Sequence, residues 1–208
     1  MSIGRHLVLL GCPAHLTQGG PGCLHSSLTC SCVDGYAKGS RSPGYFGFAG
    51  PDLERWISDE MNRPHLQVMG RRTYSALAAL PEEVRDQGWH RMAQTPTVVF
   101  SRTLQEVSWP KATINSNDVV DEVLKMKASE DVDLRTIGSL SLVRQLLNAG
   151  QVDRLRLMVF PLILGKTGQE PLFAELEDIT LELVTQTVLD GRIVLSDYRP
   201  AGTPPYVS

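Results

Sequence analysis

The chain has 208 residues, 42% of them hydrophobic and 21% charged, with a net charge of −3. That length supports one domain with a sizeable core and at most an extension, and the apolar share excludes general disorder. Charges of both signs are interspersed, so no overall field gathers nucleic acid or an acidic membrane, and any anion site must be local.

The four cysteines, Cys12, Cys23, Cys30 and Cys32, crowd the first sixth of the chain. Their spacing does not fit a zinc knuckle, no His follows at ligand distance, and the rest of the chain offers no disulfide partner. A reduced, cytoplasmic protein without a metal is expected. Leu7 to Cys12 resembles the cleavage box of a bacterial lipoprotein, but its apolar run is four residues long, against the roughly 7–15 of a signal core. No stretch approaches the roughly 20 apolar residues of a membrane span. Residues 1–22 read as a loosely ordered extension, 23–200 as the folded domain and 201–208 as a tail.

The first strand is predicted over 24–33 and closes at Asp34-Gly35, a turn signal. A Gly/Ser/Pro-rich loop follows over 38–50. Pro51 and Asp52 suit the first turn of a helix whose Leu53, Trp56, Ile57 and Met61 share one face, and Pro64 ends it. A short strand over 66–69 runs through Gly70 into a helix carrying Tyr74, Leu77 and Leu80. Residues 97–100 form another buried strand. Asn117 is placed to cap a helix with Val119, Val120, Val123, Leu124 and Lys127. A strand over 134–137 leads through Gly138-Ser139 into a helix with Leu142, Val143, Leu146 and Leu147 inward, stopped by Gly150. A long strand over 155–164 is interrupted at Pro161. Residues 179–188 and 192–198 flank Asp190-Gly191 as a β-hairpin. Alternating strands and helices followed by a hairpin predict an α/β fold, mostly parallel with antiparallel C-terminal strands.

Two strand-to-helix turns carry the chemistry. At Gly70-Arg71-Arg72-Thr73 a glycine lets a ligand approach the backbone, the helix start offers free N–H groups, and two guanidiniums and a hydroxyl suit phosphate oxygens. The alternative is a solvated basic turn in which Thr73 caps the helix. At Gly138-Ser139-Leu140-Ser141 a buried strand again delivers small residues to a helix start, suited to a pyrophosphate or explained by an ordinary Ser cap. Neither turn has the glycines of a dinucleotide fingerprint or the lysine of a P-loop. Ligands of open α/β sheets lie at the carboxyl ends of the strands, so both turns can serve one extended cofactor. After the strand over 97–100, Ser101-Arg102-Thr103 sets a guanidinium where an NAD-preferring site places an acid, which favours NADPH.

These pieces, in this order, resemble the dihydrofolate reductase superfamily. They are most similar to the reductase domain of the bifunctional riboflavin-biosynthesis deaminase/reductase and its stand-alone relatives. The carrying stretches are 31–36, 69–74, 99–103 and 137–147, then 152–157, 160–165 and Leu172-Phe173. The resemblance implies a three-layer NADPH-binding fold. It places Gly70, Arg71, Arg72 and Thr73 on the adenosine and phosphate side, Ser101 and Arg102 at the 2′-phosphate, and Gly138, Ser139, Leu140 and Ser141 along the pyrophosphate. The family usually carries three small residues at that second turn, often glycines, where this chain has Leu140. A homodimer is also implied.

Hydride transfer needs a proton at the substrate heteroatom as well. Dihydrofolate reductases place an acid at the start of the helix after the active-site loop, where this chain has Asp52; plain helix-start chemistry explains the same residue. Asp34 and Gly35 lie beside the loop that would cover the nicotinamide, with an Asp-Gly turn as their simpler role. The five histidines form no cluster, which leaves a metal site or a His-based triad little support. The expected function is reduction of a small heterocyclic or sugar-linked substrate. A dihydrofolate or pterin reductase and a non-catalytic NADPH-binding sensor are the alternatives.

Overall fold

The structure is a computed structural model that describes residues 25–129 and 132–206. The expected N-terminal extension, with Cys12 and Cys23, lies outside the described residues.

Along the described chain the elements are β1 (His25–Cys32), β2 (Tyr36–Gly39), α1 (Pro51–Met61), β3 (His65–Gly70), α2 (Arg71–Ala78), α3 (Gln87–Gln94), β4 (Thr97–Phe100), β5 (Ala112–Asn115), α4 (Val119–Ser129), β6 (Asp133–Ile137), α5 (Leu140–Asn148), β7 (Arg154–Phe160), β8 (Gly168–Pro171), β9 (Leu181–Leu189) and β10 (Ile193–Pro200). Eight strands form one sheet in the order β5-β4-β3-β6-β1-β7-β10-β9, and β2 and β8 pair as a separate ribbon. The six strands from β5 to β7 are mutually parallel, while β10 runs antiparallel to both β7 and β9. All six parallel strands therefore present their carboxyl ends along one edge. This is the expected α/β architecture. Among the described residues, no helix is long and apolar enough to cross a membrane.

Alternation along β7 shows how the layers divide. Met158 and Phe160 pack with Leu53, Trp56 and Ile57 of α1. Leu155, of opposite parity, packs with Leu142, Val143, Leu146 and Leu147 of α5. Met69 and Val99 pack with Tyr74, Leu77, Met92 and Trp109, seating α2 and α3.

Four elements were not expected. β2 and β8 hide in Gly- and Pro-rich sequence and exist only because they pair with each other. β5 has four residues, too few for a readable alternation. α3 (QGWHRMAQ) has no apolar period; Asp86 starts it by accepting from Trp89 N at 2.8 Å. Two details need correcting. Asp118, not Asn117, caps α4, accepting from Val120 N and Asp121 N, while Asn117 N donates to Asn115. β7 stops at Phe160 and does not reach residue 164, because Pro161 has no N–H to continue a ladder.

Candidate functional site

β3 and β6 are adjacent and parallel, so Gly70 and Gly138 emerge side by side. The two turns are joined by hydrogen bonds. Gly70 N donates to Ser139 Oγ at 2.8 Å, Ser139 N donates to Thr73 Oγ1 at 3.0 Å, and Ser139 Oγ donates to Thr73 Oγ1 at 2.8 Å. Neither Thr73 nor Ser139 caps its own helix; each side chain is spent on the opposite turn. Thr73 Oγ1 accepts twice, so its own proton remains to donate.

The second turn needs unusual backbone. Gly138 has φ +58 and Ser139 has φ 53, ψ 57, both left-handed. A Cβ on Gly138 would lie 3.1 Å from the Thr73 methyl, so small residues are required here by both conformation and space. Leu140 starts α5 in ordinary helical backbone and is half-buried. Leu142 N and Val143 N bond back to Ser139 O. The N–H groups of Leu140 and Ser141 precede those first bonds, which is the arrangement that suits an anion.

β4 lies on the other side of β3. Ser101 Oγ accepts from Thr103 N and Leu104 N at 3.1 and 2.8 Å, holding the turn that carries exposed Arg102. Arg71 and Arg72 occupy the exposed first turn of α2, which holds no acid. Among the described residues, none of Arg71, Arg72 and Arg102 has a carboxylate partner. This strand edge is therefore locally cationic on an acidic chain.

At the ends of β1 and β7 a second junction appears. The Asp34 carboxylate accepts from Gly165 N at 2.8 Å and Leu164 N at 3.1 Å, and from the Cys32 thiol at 2.8 Å. These donors hold its pKa below the usual carboxylate value, the Cys32 bond contributing most. Burial, then the bond to Asp34, pushes the Cys32 thiol up. Asp34 thus does more than make an Asp-Gly turn: it ties the β1 loop to the β7 loop. Gly35 completes the turn at φ +80. Sequence reasoning missed the junction because the partners lie 130 residues apart.

Asp52 starts α1 and answers Asp190 in the β9–β10 turn. Asp190 accepts from Asp52 N at 3.0 Å and Leu53 N at 3.1 Å, and Asp52 Oδ2 accepts from Asp190 N at 3.1 Å. Asp52 Oδ1 pairs with Arg55 at 3.1 Å. Both oxygens therefore act as acceptors, as helix-start chemistry requires.

The loop between β2 and α1 was read only as Gly/Ser/Pro-rich. It packs three aromatic rings on Phe160, the last residue of β7: Phe46 at 5.4 Å, Phe48 at 5.6 Å and Tyr45 at 6.0 Å between centroids. Arg192 holds the loop from the hairpin side, donating to Ala49 O at 2.7 Å with its guanidinium 5.4 Å from the Phe48 ring. Clustered aromatics at one strand end were the available signal.

Residues 26–195 match the model of the RibD C-terminal domain. The uncharacterized protein YyaP of Bacillus subtilis is 26% identical over 168 residues, which cover 78% of this chain and 87% of YyaP. A putative riboflavin biosynthesis protein from Shewanella sp. PV-4 superposes with a TM-score of 0.69 at 20% identity, over 86% of this chain and 99% of that one. Dihydrofolate reductase from Enterococcus faecalis, solved in complex with NADP(H) and RAB-propyl, superposes with a TM-score of 0.55 at 13% identity, over 85% of this chain and 96% of that one. The chain belongs to the RibD C-terminal domain family and has the dihydrofolate reductase-like fold of the riboflavin-pathway reductases.

Proposed function

We propose that the chain is an NADPH-dependent reductase of a small heterocyclic or sugar-linked substrate, of the 5-amino-6-(5-phosphoribosylamino)uracil type. The observation that carries this reading is the interlock of the Gly70 and Gly138 turns beside three arginines without carboxylate partners. A left-handed glycine whose Cβ would crowd Thr73, two helix starts and guanidiniums without carboxylate partners make a cradle for a phosphorylated dinucleotide. Arg71, Arg72 and Thr73 would hold the adenosine side, Ser101 and Arg102 the 2′-phosphate, and residues 138–141 the pyrophosphate. When bound, the cofactor supplies a hydride from its nicotinamide.

The chain's own residues then do three things. The interlocked turns fix the cofactor's phosphates, the Asp34 junction holds the β1 and β7 loops at the reacting end, and the aromatic loop packs on Phe160 beside that junction. The substrate heteroatom takes its proton from solvent, because both Asp52 oxygens already serve as acceptors for Asp190 N and Arg55. A dihydrofolate or pterin reductase would instead need Asp52.

NADPH oxidation with aminopyrimidine ribosides and with dihydropterins tests the reading. Turnover of the ribosides that survives Asp52→Asn supports it. Tight NADPH binding without turnover of either class contradicts it and points to a sensor. A cytoplasmic setting suits the free thiols of Cys30 and Cys32. We place a homodimer contact on β9, where Leu183 and Val188 are 56% and 55% exposed. Leu183→Glu should convert the dimer to a monomer in sedimentation; an unchanged sedimentation coefficient would remove that contact.

A further inference from the structure

Among the described residues, two donors in the cluster around Phe160 have no hydrogen-bond partner: the Tyr45 hydroxyl and the Trp56 indole N–H. Their residues are 9% and 6% exposed, and both belong to the cluster that contains Phe160. A buried donor without a partner destabilises the protein that contains it, and native structures keep few. Both groups are donors, so a partner able to satisfy them must bring acceptors.

The backbone around Tyr45 is also costly. Tyr45 and Phe46 are consecutive left-handed residues, with φ 51 and 52, although neither is glycine. Bulky residues adopt that region only where the surroundings enforce it, and such strain gathers at ligand clamps and moving segments. Here the turn is held by aromatic contacts with Phe160, through rings 5.4 to 6.0 Å away, and by the bond from Arg192 to Ala49 O. Phe160 ends β7 beside Cys32, which ends β1. The turn therefore lies at the carboxyl ends of β1 and β7, on the same edge of the sheet as the Gly70 and Gly138 turns. Burial, with Cys30 and Asp86 nearby, keeps the Tyr45 phenol protonated, hence a donor.

We propose that this turn plugs the substrate pocket, and that Tyr45 is a specificity-determining residue whose hydroxyl donates to a carbonyl of a planar heterocycle. That ring takes the place of Phe46 against Phe160, and Trp56 Nε1 offers a second donor. The plug rests on the reductase reading for its substrate class. The chemistry recognised is a flat ring carrying carbonyl acceptors, which separates such substrates from saturated or purely sugar-like ones.

Calorimetric titration of the whole chain, with and without saturating NADPH, tests this using two probes: planar 5,6-diaminouracil and non-planar 5,6-dihydrouracil. Wild type should bind the planar probe better. Tyr45→Phe should weaken it about tenfold, the loss of one hydrogen bond. NADPH affinity should stay unchanged and the melting temperature should hold or rise, because an orphan hydroxyl has been removed. Phe46→Gly should tighten the planar probe several-fold, since glycine takes the left-handed backbone freely and no ring needs displacing. Equal affinity of wild type and Tyr45→Phe for the planar probe would overturn the plug, as would no binding by either wild type or Phe46→Gly. If NADPH fails to bind while the Tyr45 effect persists, the reductase reading falls and the plug stands.

Discussion

Ser139 holds a left-handed backbone that costs a non-glycine residue about 1–2 kcal/mol, and it stays there because its N–H and hydroxyl make three bonds to Gly70 and Thr73. Ser139→Ala keeps the backbone cost and loses the hydroxyl bonds. It should lower unfolding free energy in urea by about 1–3 kcal/mol, and Ser139→Gly should lose less because glycine removes the strain. Equal losses would show that the hydroxyl and not the backbone governs the turn. Gly138→Ala drives a Cβ toward Thr73 at φ +58 and should weaken NADPH at least tenfold, about 1.4 kcal/mol, in a direct titration. The glycines, arginines and serines of the two turns were legible because each lies beside a strand end in the sequence. Their bonds to one another were not, nor was the Cys32–Asp34–Gly165 junction, since strand order decides which turns meet.

α1 is fixed at both ends by different chemistry. At its start the Asp190 carboxylate occupies the space a Cβ on Gly50 would fill, and accepts two N–H groups of the first turn. Asp190→Ala removes that cap and should cost about 0.5–2 kcal/mol in chemical denaturation, with Asp190→Asn losing less. At its end Glu60 is fully buried, with Arg135, Arg63 and Arg156 at 3.6, 3.8 and 3.9 Å. None of these guanidiniums reaches a hydrogen bond with the carboxylate, so desolvation outweighs them and raises its pKa to about 7. A raised carboxyl pKa contributes stability below its unfolded value, lost as pH climbs through the folded value. From pH 4.5 to 7 the wild type should therefore lose on the order of 3 kcal/mol relative to Glu60→Gln. His65, lowered to about 4 by burial, acts in the opposite sense but equally in both proteins. Parallel pH profiles would contradict a strongly raised Glu60. The helix itself was readable from Leu53, Trp56 and Ile57; its anchors came from a hairpin and a sheet far along the chain.

At the scale of the whole molecule, the alternation of strands and helices determined a parallel sheet with an antiparallel end. Periodicity does not encode lateral order, so the insertion of β1 between β6 and β7 could not be read in advance. Elements that exist by pairing alone, such as β2 with β8, left no local trace. The order matters for function because it aligns Gly70, Ser101, Gly138 and Asp34 along one edge of an acidic chain. The net charge of −3 repels anions at long range, so affinity for the proposed phosphorylated cofactor would have to come from the arginines at that edge, which have no carboxylate partner among the described residues. The most direct test is parallel titration of NADPH and NADH into wild type and Arg102→Ala at one ionic strength. The account predicts that wild type prefers NADPH, and that the substitution weakens NADPH about 10- to 100-fold while leaving NADH nearly unchanged. Equal losses for the two cofactors, or no NADPH binding by wild type, would contradict it.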